Sequence, residues 1–168
     1  MNPEHVHIFT DGSCHTQIRQ GAWVAIILHA GAQIILKGEA ESTTHNRMEL
    51  IAVIKAIEYV DEKQFKGQLI VYTDSQYVCR LSERKTRLRQ NHFLTNKGSL
   101  IQNTDLIQAL IRHIESHNIR FIKVKAHQKT DTESSIYSSQ ADMLSRKMVR
   151  NKTRSAAGSS QRIYPILF

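Results

Sequence analysis

A short, uninterrupted apolar run, Leu69-Ile70-Val71-Tyr72, constrains the fold of this chain most strongly. A strand without alternating polar residues is covered on both faces, as a central strand of an α/β sheet is. The run ends at Thr73-Asp74, so Asp74 lies at the carboxyl end of a buried strand, where open α/β sheets usually bind ligands. A second interpretation makes Asp74 the N-cap of a helix that begins at Ser75. The run predicts an α/β protein and leaves both roles of Asp74 open.

Three further strands are predicted before this run. Polar and apolar residues alternate over 6–11, which is the period of a half-buried strand and places Asp11 on the same face as Phe9. We expect this strand to end at a turn formed by Asp11-Gly12. Two segments rich in Val, Ile and Leu, 21–28 and 33–38, are separated by a short turn and predict an antiparallel hairpin.

A helix is predicted over 44–66, because Ser and Thr residues precede it and Gly67 follows it. Helical spacing places Glu49 on the apolar side with Val53 and Ala56, where a carboxylate needs a specific reason. One reason is catalysis or metal binding. The other is a first-turn glutamate that interacts favourably with the helix dipole.

The rest of the chain predicts a basic helical hairpin, one more strand and two more helices. These are the basic stretch 80–97, a helix over 104–117, a strand over 119–125 and a helix over 138–150 that carries Asp142 beside an apolar stripe. The element order is βββαβαβα. A chain of 168 residues fits one α/β domain, which we place at 1–150, and residues 151–168 are predicted to be a basic, flexible tail.

Positive charge is concentrated in two segments of the chain. Residues 80–97 hold six basic residues against Glu83, a net charge of +5, and residues 145–168 hold six basic residues and no acidic one. Because the whole chain carries +8, the remainder is mildly acidic. This distribution indicates a protein that binds a polyanion through basic segments at the edges of its domain. The alternative is that these basic segments only maintain solubility.

Two cysteines, Cys14 and Cys79, are too few for a disulfide framework and show no zinc spacing. The N-terminus has no basic leader followed by an apolar segment, and the longest apolar run is too short to span a bilayer. We therefore expect a cytoplasmic protein that does not associate with membranes.

Four acidic residues, Asp11, Glu49, Asp74 and Asp142, stand where the chain passes between predicted elements or on helix faces turned towards the sheet. Hard divalent cations such as Mg²⁺ prefer oxygen ligands, and carboxylates bind them while leaving positions for water and phosphate oxygens. If the fold gathers these residues, they form a metal site suited to phosphodiester cleavage.

The motifs TDGSC, TTHNRMEL, YTDSQYV, KAH and QAD, in this order and spacing, resemble type 1 ribonuclease H over about residues 5–150. Each motif alone is short, but five in register around four carboxylates are specific. The resemblance implies a five-stranded mixed sheet flanked by helices. It also implies endonucleolytic cleavage of the RNA strand of an RNA/DNA hybrid.

The resemblance further implies the roles of individual residues. Asp11, Glu49, Asp74 and Asp142 would bind two Mg²⁺ ions, with Asp11 shared and Mn²⁺ as the alternative metal. Cleavage would leave a 5′-phosphate and a 3′-hydroxyl. His127 would assist proton transfer or product release, for which an imidazole pKa near neutrality is suitable.

Substrate contacts follow from the same resemblance. Cys14, Asn46 and Gln76 would contact the RNA strand, and Thr44 and Asn103 would bind a phosphate of the DNA strand. For each of these residues, ordinary helix capping or turn formation is the alternative. The basic stretch matches the handle by which some family members hold the hybrid, here Arg84, Lys85, Arg87, Arg89 and Lys97.

The chain departs from the family pattern at several positions. The handle has no tryptophan, the segment 128–140 is longer than usual, and His45 stands where an Asn frequently contacts RNA. Two other functions stay open: a module that binds hybrids without cutting, and a related nuclease with another substrate, such as one from a mobile element. In each case we expect a monomer.

Overall fold

Five strands form one mixed sheet in the order β3-β2-β1-β4-β5. The structure is a computed structural model that describes residues 4–124 and 132–159, with side chains as far as Arg154. The strands are β1 (Val6–His15), β2 (Gln20–His29), β3 (Ala32–Ala40), β4 (Leu69–Thr73) and β5 (Ile119–Lys123). The first three form an antiparallel meander, and β4 pairs in parallel with both β1 and β5. The predicted five-stranded mixed sheet is confirmed.

Helices cover both faces of the sheet. They are α1 (His45–Glu62), α2 (Gln76–Cys79), α3 (Leu81–Gln90), α4 (Thr104–Ser116) and α5 (Glu133–Ser159). One core contains Ile8 of β1 with the buried sides of α1 and α4, and the other contains Phe9 with Ala141 of α5. Because neighbouring residues of a strand point to opposite faces, β1 contributes to both cores. Among the described helices, none is long and apolar enough to cross a bilayer.

The first strand and the basic segment differ from their predictions. β1 does not end after Asp11 but continues to His15, because Gly12 pairs with Trp23 in the ladder with β2. The segment 80–97 contains one helix, α3, followed by irregular chain with an isolated bridge between Leu94 and Leu100, instead of a helical hairpin.

The last helix is longer at both ends than the sequence predicted. α5 begins at Glu133, five residues before the predicted start at 138 and within the segment that the sequence assigned to a long loop, and it extends nine residues beyond Arg150 into the predicted flexible tail. The hydroxyl of Thr153 bonds back to the carbonyl of Val149, which satisfies that side chain within the helix. The helix therefore continues to Ser159, although the apolar period fades after Arg150. Residues 160–168 lie outside the described chain.

Gly12 allows β1 to pass directly against the start of α1. A Cβ atom at Gly12 would lie 2.4 Å from the backbone nitrogen of Glu49 and 2.6 Å from the carbonyl carbon of Met48. Real side chains do not tolerate such distances, so only glycine permits this approach. The close contact places Glu49 of α1 against Gly12, the residue that follows Asp11 in β1.

Candidate active site

The four predicted metal ligands come from four different elements. Asp11 lies within β1, Glu49 within α1, Asp74 directly after β4 and Asp142 within α5. For Glu49 and Asp74 the sequence also allowed a purely structural role at a helix end, and for both residues that alternative was wrong. The first turn of α1 contains no acidic residue, and the N-cap of α2 is Ser75, whose side chain accepts from Val78 N. The carboxylates of Glu49 and Asp74 therefore have neither of the proposed helix-end roles.

Asp11 is buried among other acidic groups. Its side chain accepts a hydrogen bond from the hydroxyl of Ser145 on α5, and the residue is 8% exposed. Burial raises the pKa of Asp11 to about 6, the Ser145 bond opposes the rise, and the charges of Asp74 and Asp142 add to it. Such repulsion requires short separations. Asp11, Asp74 and Asp142 therefore converge on one site.

Glu49 joins the same site through its neighbours. It is 7% exposed, and the Ser75 hydroxyl donates to its Oε2 atom. Burial raises the pKa of Asp74, and the negative charge of Glu49 raises it further. Ser75 therefore links the carboxyl end of β4 to α1, and Glu49 and Asp74 share one electrostatic environment.

His45 is part of this site, although the sequence identified it only as a replacement for Asn. Its Nε2 atom lies 3.1 Å from Glu49 Oε1, one helical turn along α1. The hydrogen bond with Glu49 raises the pKa of His45 against the opposing effect of burial, and Asp11 and Asp74 contribute as well. A protonated His45 partly offsets the acidic charge. The spacing of four residues between His45 and Glu49 is one helical turn, and this spacing could have identified His45 from the sequence.

Two buried serines and one arginine also hold the carboxylates, and sequence reasoning missed all three. Ser75 and Ser145 are 4% and 0% exposed, and Arg146 Nε lies 2.6 Å from Asp142 Oδ1. Ser145 and Arg146 follow Asp142 by three and four residues, the helical spacing of neighbours on one face. That spacing could have identified them, but nothing local shows that Ser145 reaches Asp11 of β1.

The donor atoms fit a hard divalent cation. All four predicted ligands are carboxylates, and two of them, Asp11 and Asp74, have raised pKa values partly because acidic neighbours repel their negative charge. A divalent cation would remove that repulsion, and oxygen ligands suit Mg²⁺ and Mn²⁺.

The predicted RNA contacts flank the carboxylates. Cys14, near the end of β1, directs its thiol at the Thr43 carbonyl just before α1, at 3.6 Å. Asn46 is exposed in the first turn of α1. Gln76 is exposed at the start of α2, two residues after Asp74, and accepts a hydrogen bond from Lys123 Nζ at 2.5 Å.

The predicted DNA-phosphate contacts are brought together by Arg47. Thr44 is the N-cap of α1, and its hydroxyl accepts from Arg47 N at 3.4 Å. The Arg47 guanidinium donates to Asn103 Oδ1 at 3.4 Å and bidentately to Asp105, at 3.0 and 2.8 Å. Asn103 is the N-cap residue of α4 with a left-handed φ of 59°, but its side chain makes no cap hydrogen bond, whereas the side chain of Thr44 does cap its helix.

The basic handle is mostly exposed. Buried Leu81 and Leu88 attach α3 to the core. The predicted phosphate-binding residues lie at other positions of α3 and in the segment that follows this helix. Arg89 differs from the others because its Nη2 atom lies 2.5 Å from Glu115 of α4. His127 lies outside the described residues.

Comparison with known proteins supports one family. The sequence profile described as RNase H matches residues 3–150. A ribonuclease H from Caldicellulosiruptor saccharolyticus is 34% identical over 149 residues, covering 88% of this chain and 97% of the relative. A ribonuclease H from Thermoanaerobacter sp. (strain X514) is 32% identical over 155 residues, covering 91% and 95%.

Solved structures show the same fold. LC9-RNase H1, described as a type 1 RNase H with the type 2 active-site motif, has a TM-score of 0.74 at 20% identity and covers 90% of this chain and 74% of its own. LC11-RNase H1 in complex with an RNA/DNA hybrid has a TM-score of 0.61 at 17% identity, covering 88% and 99%. The profile match, the relatives and the shared fold agree, and the chain belongs to the RNase H family of ribonucleases.

Proposed function

We propose that this protein is an endonuclease that hydrolyses the RNA strand of RNA/DNA hybrids and leaves 5′-phosphate and 3′-hydroxyl ends. The observation that carries the proposal is the convergence of acidic side chains from four elements around the buried Asp11. Four carboxylates that repel one another repel phosphate as well, unless cations neutralise them. A protein that only binds hybrids has no need of such a group.

We assign Asp11, Glu49, Asp74 and Asp142 as the ligands of two Mg²⁺ ions, with Asp11 shared. Bound Mg²⁺ supplies Lewis-acid activation of the attacking water and charge stabilisation for the leaving 3′-oxygen. The hydroxyls of Ser145 and Ser75 each hold one carboxylate oxygen, of Asp11 and Glu49 respectively. This support fixes ligand orientation before substrate arrives.

His127 is assigned to proton transfer or product release on its motif alone. The RNA strand would contact Cys14, Asn46 and Gln76, which flank the carboxylates on β1, α1 and α2. The uncharged Asn and Gln side chains can donate to a ribose hydroxyl, which distinguishes RNA from DNA.

The DNA strand would place a phosphate against Thr44 and Asn103, beside the Arg47 guanidinium. A hydroxyl, an amide and a nearby cation form a suitable phosphate-binding group. A hybrid substrate is also supported by the LC11-RNase H1 complex, in which that protein binds an RNA/DNA hybrid. We further propose that the enzyme acts as a cytoplasmic monomer, in keeping with its two free cysteines.

A strand-resolved gel assay tests the activity. Hybrids labelled on either the RNA or the DNA strand are incubated with wild-type protein or Asp74→Asn, in Mg²⁺ or in EDTA. We expect cutting of the RNA strand alone, only with Mg²⁺, and its loss in the variant, because the variant lacks one anionic metal ligand.

Other substrates provide the controls for this assay. Double-stranded RNA and double-stranded DNA should remain intact. Binding of the hybrid without cutting in any divalent metal would contradict an enzymatic role and indicate a binding module. Equal cutting of double-stranded RNA would instead indicate a nuclease with another substrate.

The handle makes a separate prediction about salt dependence. Neutralising Arg84, Lys85 and Arg87 together should weaken hybrid binding and reduce the slope of log affinity against log salt by roughly 2 to 3, because each phosphate contact contributes about 0.9. Arg89→Gln should change the slope less, because Glu115 already pairs with this arginine. Fluorescence anisotropy at several salt concentrations with catalytically inactive Asp74→Asn protein measures both.

Lys55→Gln is the matched control for the handle variants, since Lys55 is an exposed lysine on α1 that pairs with Glu58. It should leave the slope unchanged. A slope that is equally unchanged in the triple variant would show that α3 does not contact phosphate.

A further inference from the structure

Three metal-ligating side chains meet where the ends of α1 and α4 lie side by side. Asp61 comes from α1, His113 from the last turn of α4, and His117 directly follows α4. One ligand atom from each lies within 4.8 Å of the other two. His117 Nε2 is 2.6 Å from Asp61 Oδ1, and His113 Nδ1 is 4.0 Å from Asp61 Oδ2.

The orientation of His117 leaves one nitrogen aimed at the carboxylate. Its Nδ1 atom lies 3.0 Å from the backbone carbonyl of His113. The Ser116 hydroxyl lies 2.8 Å from the same nitrogen and can donate to it. When Nδ1 instead donates its proton to the carbonyl, Nε2 of the neutral ring presents a lone pair towards Asp61, and this is the tautomer that binds a metal ion. Metal-binding histidines are commonly fixed by such a bond to a carbonyl.

A second imidazole lies beside this pair. An ion pair between His117 and Asp61 needs no second imidazole, yet the His113 ring lies 5.8 Å from the His117 ring, and its Nδ1 atom lies 4.0 Å from the other oxygen of Asp61. The three side chains therefore offer two imidazole nitrogens and one carboxylate in one place.

We propose that Asp61, His113 and His117 bind a zinc-type divalent cation that joins the ends of α1 and α4. Two imidazoles and one carboxylate form a ligand set that suits Zn²⁺ better than Mg²⁺, with water in the fourth position. Ligand atoms of a tetrahedral zinc site lie about 3.3 Å apart, given bonds of about 2.0 Å, so side-chain shifts of about 1 Å complete the site.

This site is separate from the carboxylates of the proposed active site. Asp61 follows Glu49 by twelve residues on α1, about 18 Å along the helix axis. The chemistry also differs, because the active-site group contains four carboxylates and this site contains two imidazoles. Zinc bound here would stabilise the folded state, because it binds the folded protein and not the unfolded chain, and it would not take part in hydrolysis.

Calorimetric titration with Zn²⁺ in millimolar Mg²⁺ tests the proposal, because Mg²⁺ occupies carboxylate sites without competing for imidazole. Wild type, His113→Gln and His117→Gln are compared with His92→Gln, a control at an exposed histidine after α3. We expect wild type and the control to bind one zinc that both site variants lose, or bind at least about tenfold more weakly. Zn²⁺ should also raise the Tm of wild type and of the control only.

The same experiment can overturn the site. Identical isotherms for wild type and for folded site variants would exclude these ligands, as would a wild type that takes up no zinc. If either histidine variant fails to fold, Asp61→Asn replaces it, since Asp61 is the most exposed of the three side chains. Hybrid cleavage in Mg²⁺ should be equal in wild type and His117→Gln, which separates this site from the proposed hydrolytic one.

Discussion

Asp11→Asn should abolish cleavage of the RNA strand and, at the same time, make the metal-free protein more stable at neutral pH. The loss of activity should be about a thousandfold or more, because an anionic ligand proposed to be shared by two metal ions is neutralised. The gain in stability has a different origin. Ionised Asp11 is buried beside Asp74 and Asp142, and asparagine removes that charge while it can still accept the hydrogen bond from Ser145.

The pH dependence follows from the raised pKa. Asp11 has a pKa of about 6 in the folded protein against 3.8 as the ordinary value. Below pH 3.8 it is protonated in both states and contributes no penalty. Between these values its ionisation increasingly favours unfolding, and above pH 6 the penalty is complete, at most about 3 kcal/mol. The stability difference between variant and wild type should therefore be near zero at pH 3.5 and fully developed at pH 7.5.

Urea unfolding in EDTA at these two pH values measures the effect. Asp105→Asn is the control with the opposite sign, because Arg47 lowers the pKa of this exposed carboxyl and its charge stabilises the folded protein at neutral pH. It should reduce stability at pH 7.5. Equal stability of Asp11→Asn and wild type at both pH values would contradict the burial of a repelled charge at Asp11.

Much of this arrangement could be predicted because it depends on local patterns. The apolar run of β4 and the alternation in β1 predicted the central strands, and helical spacing placed Glu49 on the apolar side of α1, where the structure buries it. Each of these signals comes from periodicity within one element. The structure then added the pairing, which placed β1 between β2 and β4.

The missing parts depend on contacts between distant residues. Ser145 bonds to Asp11 across 134 positions of sequence, and no pattern around either residue encodes that contact. His45 and Arg146 were visible at helical spacing from a carboxylate, yet such pairs are usually surface ion pairs with little effect. The turn predicted after Asp11 failed because Gly12 was interpreted as a chain reversal, whereas it permits close packing inside a strand.

Gly12→Ala should reduce both stability and catalysis, in contrast to Asp11→Asn. The new Cβ would lie 2.4 Å from Glu49 N and 2.8 Å from Met48 Cβ, so β1 and α1 must move apart. The nearest neighbours include backbone atoms, which cannot rotate away as the end of a flexible side chain can. We expect the free energy of unfolding to fall by about 3 kcal/mol, the upper range for overpacking in a core.

Catalysis should fall by about a hundredfold in Gly12→Ala, because a shift of about 1 Å in a positioned group has an effect of that size. The shift separates Glu49 from Asp11, so the Mg²⁺ concentration needed for half-maximal activity should also rise. Initial rates on a labelled hybrid across a Mg²⁺ titration, together with urea unfolding, measure these quantities.

Gly31→Ala is the matched control, because a Cβ at Gly31 meets no atom within 4 Å although its φ is +79°. Strain at this turn should lower stability by about 1 kcal/mol without changing the Mg²⁺ requirement. If Gly12→Ala behaves like Gly31→Ala, the contact between β1 and α1 does not position the carboxylates. If only Gly12→Ala raises the Mg²⁺ requirement, the absence of a side chain at residue 12 is what allows Asp11 and Glu49 to share metal ions.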